Sequence, residues 1–190
     1  MTQREIRTPS VKAETRMDDE TGDLLVEGYA AVFGERTSIG GMFEEVIERG
    51  AFTDAIGRDD VVFLINHDGL PLARTRSGTL TLVEDDRGLK ITTRLDPNDP
   101  DVKNIQYKMG RGDLDKMSFA FWPDVQEWDE SGDMPLRTIK RASLYDVSIV
   151  TTPAYEGTEI ALRSLEASRA PKRNLEKKRR EMEMKIRGMT

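Results

Sequence analysis

The chain has no cysteine and a single histidine among its 190 residues. The first absence excludes disulfides, thiol catalysis and cysteine-ligated zinc. The second excludes a metal site rich in imidazole, although one built from carboxylates alone stays open. No apolar run is long enough to cross a bilayer, and Met1-Thr2-Gln3-Arg4-Glu5 lacks the apolar core of a signal peptide. The expectation is a soluble, cytoplasmic protein with no cofactor and no membrane partner.

What is present is charge. Charged residues make up 34% of the chain and hydrophobic ones 37%, enough for one moderate core inside a charged periphery. The net charge of −6 is unevenly placed. Residues 1–165 carry 20 Lys and Arg against 31 Asp and Glu, a net of −11. Residues 166–190 carry 9 against 4, a net of +5. The acidic body would repel phosphate, so direct nucleic-acid binding by the body is not expected. The basic tail is a separate electrostatic unit.

Hydrophobic periodicity predicts a mainly β chain with short helices. Residues 1–10 are polar, contain Pro9 and read as an extended arm. Residues 11–17 and 24–33 flank a turn cluster at Asp18 to Asp23 and predict a hairpin. Residues 42–47 read as a strand and 50–56 as a short helix stopped near Gly57. Residues 59–65 hold the continuous apolar run Val61 to Ile65, a buried strand ending in Asn66-His67-Asp68-Gly69. Pro71 to Arg74 leads away from it. Residues 78–84 and 89–95 alternate around Asp85 to Gly88, a second hairpin. Residues 102–109 form a helix with Val102, Ile105 and Met109 on one face, capped by Asp99 or Asp101 and ended by Gly110-Arg111-Gly112. Three strands follow, around Ser118, over 135–140 and over 143–150. Pro153 breaks the pattern, 159–166 is helical, Ala170-Pro171 interrupts, and 175–187 is a charged helix. The stripe of Leu175, Met182, Ile186 and Met189 has spacing suited to a partner coil.

Chemistry concentrates in three places. In Lys116-Met117-Ser118-Phe119-Ala120-Phe121-Trp122, strand alternation puts Met117, Phe119 and Phe121 on one side and Ser118, Ala120 and Trp122 on the other. Ser118 is a small strand residue or a nucleophile on a rigid scaffold. A serine nucleophile needs a base within hydrogen-bond reach and a third group to orient that base. His67 alone can supply the imidazole; otherwise it is an exposed loop residue. Asp146 is a surface carboxylate or a paired one. It lies in a strand that continues Val147, Ile149 and Val150, where an unpaired carboxylate is costly. His67 is one candidate partner.

Taken together, Leu64-Ile65-Asn66-His67-Asp68 with Pro71-Leu72-Ala73-Arg74, Met117-Ser118-Phe119-Ala120-Phe121, and Leu144-Tyr145-Asp146-Val147-Ser148-Ile149-Val150 through Pro153-Ala154 resemble the three motifs of the tailed-phage prohead serine proteases. Order and rough spacing match, and the resemblance covers about residues 15–165. It implies a closed β barrel ringed by helices, like that of the herpesvirus assembly proteases. It also implies endoproteolysis of a capsid precursor or scaffold segment inside the assembling prohead, in the host cytoplasm. By the same resemblance Ser118 is the nucleophile, His67 the general base and Asp146 the third member, where many relatives carry Glu. Arg137 and Arg141 are helpers or a solvated strand edge; Asn66 and Asp68 receive no role.

The implied organisation is an arm over 1–14, a protease domain over 15–165 and a basic helical tail over 166–190. The tail is a removable segment that recruits the enzyme to its precursor, with self-cleavage around 164–171, or a bland exposed helix. Herpesvirus relatives imply a homodimer. The rival from another class is a catalytically inert assembly or scaffold module on the same barrel. A third reading fuses protease and scaffold, with the tail as a scaffold remnant.

Overall fold

The computed structural model describes residues 4–151 and 157–187. In chain order the elements are β1 (Glu5–Arg7), β2 (Glu14–Met17), β3 (Leu24–Val32), β4 (Thr37–Ile39), β5 (Phe43–Ile47), α1 (Thr53–Arg58), β6 (Val62–Ile65), β7 (Asp68–Arg74), β8 (Leu80–Glu84), β9 (Gly88–Leu95), α2 (Pro100–Arg111), β10 (Lys116–Asp129), β11 (Leu136–Val150) and α3 (Gly157–Arg187). The fold is mixed α+β, with strands dominant.

The spine is the antiparallel pair β10 and β11. Residues 135–140 and 143–150, expected as two strands, are one long strand from Leu136 onward. Its length is possible because β10 absorbs mismatch through register shifts at Ala120/Phe121 and on either side of Val125. Pro123 lies beside one of these, where a missing N–H costs least. β11 is central: it pairs in parallel with β5 through Leu136 to Ile139 and with β6 through Asp146 to Ile149. β1 adds to the other side of β10, completing a seven-stranded sheet. The second sheet runs β2-β3-β9-β8 and contains both expected hairpins.

The expected closed barrel is not present among the described residues. β3 has hydrogen-bonded partners on both edges, β2 and β9, so it has no free edge to offer β10. The sheets meet through side chains and short backbone links: Gly34 N donating to Ile47 O at 3.0 Å, and the Lys12–Lys116 bridge with Ala13 N donating to Asp115 O at 2.9 Å. Gly28 makes that approach possible, since a Cβ there would stand 2.9 Å from Met117 Cγ. Nor do the helices form a ring. α1 packs on β11 and β8, while α3 lies against β1. α2 turns Val102, Ile105 and Met109 into the core, with Asp99 as N-cap and Gly112 left-handed at its end.

The core fills the space between the sheets. Met117, Phe119, Val147 and Ile149 all point into it. Phe119 stacks on Phe121 at 4.9 Å and meets Phe52 edge-on at 5.6 Å. Burial of each such side chain contributes about 1.5–3 kcal/mol. Strand alternation therefore sends the intervening residues, Ser118, Asp146 and Ser148, to the opposite face of the same sheet.

Two terminal segments differ from expectation. The N-terminal arm is not free: β1 is an edge strand, with Glu5, Ile6 and Arg7 opposite Phe121, Ala120 and Phe119. Helix α3 runs through Pro171 instead of stopping there. Pro171 is exposed, so water can satisfy the carbonyl whose donor is lost. Leu165 pins α3 to Ile39 and Phe43 in a small satellite cluster. Pro153 and Met189 lie outside the described residues.

Candidate active site

The site is built on β11. Asp146 and Ser148 are two apart and share a face. Ser118 sits directly opposite Ser148 on β10. β6 runs parallel beside β11 and ends at Ile65, opposite Ile149. The chain must then reverse, because β7 pairs antiparallel with β6 and Asp68 faces Ile65. Only Asn66 and His67 remain to make the turn, and both take positive φ, 51° and 59°. That is the signature of a type I′ hairpin turn, where Asn suits the first position and Gly is usual at the second. His67 stands where glycine is preferred, at a cost of about 1–2 kcal/mol. Strain of this kind gathers at functional sites.

Three bonds hold the turn over the sheet. Asn66 N donates to Ile149 O at 3.0 Å, and Thr151 N donates to Asn66 Oδ1 at 3.2 Å. His67 N donates to Ser148 Oγ at 3.1 Å. The imidazole is thereby placed between a hydroxyl and a carboxylate. His67 Nε2 is 2.7 Å from Ser118 Oγ. His67 Nδ1 makes a short contact with Asp146 Oδ1. A carboxylate at Nδ1 requires the proton there, which leaves Nε2 with its lone pair toward Ser118. Asp146 also accepts from Ser148 Oγ at 3.1 Å and from Arg4 Nη1 at 3.3 Å. Ser118, Asp146 and Ser148 have no exposed surface, and the His67 side chain keeps 6%. Out of water, each of these polar interactions is stronger than it would be at the surface.

The structure thus brings together the three residues singled out from sequence. Chemically, such a chain can take the serine proton at Nε2 while the carboxylate stabilises the resulting imidazolium. Asp68 is exposed and takes no part in these contacts. Arg141 is exposed on β11. Arg137 is not a solvated strand edge: it has no exposed surface and lies in an ionic cluster. Its Nη1 and Nη2 reach Glu5 at 2.7 and 2.8 Å, and Nη1 reaches Glu45 at 2.9 Å. Arg7 closes the cluster, with Nε to Glu45 at 2.7 Å and Nη2 to Glu5 at 2.6 Å.

Sequence reasoning missed Ser148, although its i+2 spacing from Asp146 was a usable signal. It also missed β1. Thr8 Oγ1 donates to Ser118 Oγ at 3.1 Å, and Ser118 Oγ donates to Arg7 O at 2.9 Å. No local pattern connects residues 110 positions apart.

Comparison with known proteins adds an independent line. The chain is 30% identical over 142 residues to the prohead protease of Enterobacteria phage HK97, covering 72% of this chain. The match spans 59% of that relative's length. The solved capsid assembly protease of bacteriophage T4 superposes with a TM-score of 0.54 at 11% identity, over 80% of this chain and 98% of that one, so the fold is shared. The family model for caudovirus prohead serine proteases matches residues 11–172. The chain belongs to the caudovirus prohead serine protease family.

Proposed function

We propose that the chain is a serine endopeptidase that cuts a capsid precursor or scaffold segment, and itself, during prohead maturation. The supporting observation is the linked series Ser118 Oγ, His67 Nε2 at 2.7 Å, and Asp146 on Nδ1. Ser118 Oγ attacks the scissile carbonyl carbon and His67 Nε2 takes its proton. The C–N bond breaks, and His67 returns that proton to the leaving amine. Water, deprotonated by His67, then hydrolyses the acyl-enzyme and frees Ser118. Asp146 keeps the imidazole in the productive tautomer, and Ser148 steadies Asp146.

The body acts inside the assembling shell in the host cytoplasm, and the tail over 166–190 recruits precursor and is removable. A second copy of the chain is a further partner. Intact mass tests the central claim. Wild type incubated with precursor should yield trimmed precursor or shortened enzyme, and Ser118→Ala should leave both whole. Equal cleavage by the two chains would falsify the assignment of Ser118.

One observation favours the rival inert assembly module: Ser118 is fully buried, with the N-terminal strand against it. Labelling by a serine-directed phosphonate separates the two. An inert module takes no label, whereas an enzyme takes one at Ser118.

A further inference from the structure

β1 differs from the other edge strands in what it touches. It contributes only Glu5, Ile6 and Arg7 to the ladder, antiparallel to the strand that bears Ser118. Its alternate side chains divide between two tasks. Arg4 and Thr8 face the site, bonding Asp146 and Ser118. Glu5 and Arg7 face the buried cluster of Glu45 and Arg137. The carbonyl between Arg7 and Thr8 lies at the nucleophile, its oxygen accepting from Ser118 Oγ at 2.9 Å.

Building on the peptidase reading above, we infer that the β10 edge held by β1 is the substrate-peptide groove, that β1 is its internal occupant, and that Glu45 and Arg137 select a substrate strand with the order acidic–any–basic before the scissile bond. The extended chain adds to a sheet edge, so the backbone ladder supplies affinity and the alternate side chains supply selection. Beyond Arg7 the chain runs beside a small cavity of about 60 Å³ that Thr8, Pro9 and Ser10 line together with Glu35 and Thr37.

Charge accounting favours an exchangeable strand. β1 brings one carboxylate and one guanidinium, Glu5 and Arg7. The body holds the same, Glu45 and Arg137. When β1 leaves, Glu45 and Arg137 remain paired and neutral. A substrate strand with an acid at the Glu5 position and a base at the Arg7 position restores the three ion pairs that leave with β1. A strand with the reverse order sets like charges together out of water, which is strongly unfavourable.

The same geometry predicts that β1 resists cleavage. Ser118 has one hydroxyl proton, shared between His67 Nε2 and the Arg7 carbonyl oxygen. A hydroxyl donating to that oxygen is not directing its lone pair at the carbonyl carbon. Thr8 Oγ1 donates to Ser118 Oγ and occupies one of its lone pairs.

The test measures binding without turnover, so its failure is separable from failure of the peptidase reading. It uses full-length Ser118→Ala carrying Ile6→Cys and Ala120→Cys, residues directly opposed across β1 and β10. With no native cysteine, this is the sole pair that can oxidise. Fluorescent peptides containing Glu-Ile-Arg-Thr or the swapped Arg-Ile-Glu-Thr are titrated by anisotropy. In the reduced protein the first should bind at least about tenfold more tightly. Glu45→Gln should remove most of that preference. The oxidised protein, with β1 locked down, should bind neither. Equal affinity for the two peptides, equal binding by the oxidised and reduced forms, or no binding by the reduced form would each overturn the inference. Cleavage of precursor by wild type but not by Ser118→Ala would leave the peptidase reading standing in every one of those cases.

Discussion

At the scale of single residues, the site depends on a histidine held in an unfavoured conformation by its neighbours. His67 keeps positive φ because Asn66 and Ser148 tie the turn to β11 from both sides. Asp146→Asn should lower peptidase kcat by roughly 10³ to 10⁴ through the wrong imidazole tautomer, while leaving the melting temperature close to wild type. A drop of less than tenfold would remove Asp146 from the machinery. Ser148→Ala forfeits about 1 kcal/mol of support and should cost roughly fivefold. Steady-state kinetics on the capsid precursor read both. Residue type and motif singled out Ser118, His67 and Asp146, which the fold brings into contact; that Ser148 joins them follows from strand alternation.

Glu5 belongs to the same scale. Burial pushes its carboxyl up, but the hydrogen bond from Arg137 and the charges of Arg7 and Arg137 outweigh that and hold it below its ordinary value. A depressed pKa contributes stability that is complete above the unfolded value, about 4.5, and is lost as pH falls through the folded value. Acid should therefore loosen β1 before it unfolds the body. Hydrogen-exchange protection in β1 is expected to fall as the pH drops below about 4.5, ahead of the β10 and β11 core. Simultaneous loss in all three strands would contradict a separable β1.

At the scale of elements, the two hairpins, the capped helix α2 and the Ser118 strand were readable because each is specified by local signals. Alternation, turn residues and capping all act within a few positions. β7 was missed because Pro71 masks a strand that exists only by pairing with β6. The break expected near residues 141–142 was wrong for a similar reason: a ladder with β10 carries β11 through them. Gly88 shows how closely strands approach. A Cβ there would stand 2.0 Å from the Ala31 carbonyl oxygen, beside the register shift between Tyr29 and Ala31. Gly88→Ala should destabilise the second sheet by about 1–3 kcal/mol in chemical denaturation. A neutral result would mean that β3 can shift to make room.

At the scale of the whole molecule, two units meet. The body places its polar face under the His67 turn and β1, and α3 extends away from it. Beyond Arg169, which pairs with Glu130 at 2.7 Å, α3 leaves Leu175 and Met182 exposed, at 72% and 64%. With its net positive charge, that segment suits an acidic partner coil. Deleting residues 166–190 should markedly reduce retention of capsid precursor in a pull-down, with Ser118→Ala used to prevent turnover. Equal retention with and without the tail would end the recruitment idea.

Motif order by itself pointed to the family, and composition excluded thiol chemistry and left His67 as the one imidazole. Local pattern determined most hairpins and helices, because those forces act between near neighbours. The tertiary structure alone decided what lies across the sheet: two open sheets in place of a barrel, Arg137 inside an ionic cluster, and the N-terminal strand at Ser118. The last two follow from pairing between segments 92 to 132 residues apart. Such pairing is set by which sheet edges remain free and which buried charges need partners, and neither is written in a local stretch of chain.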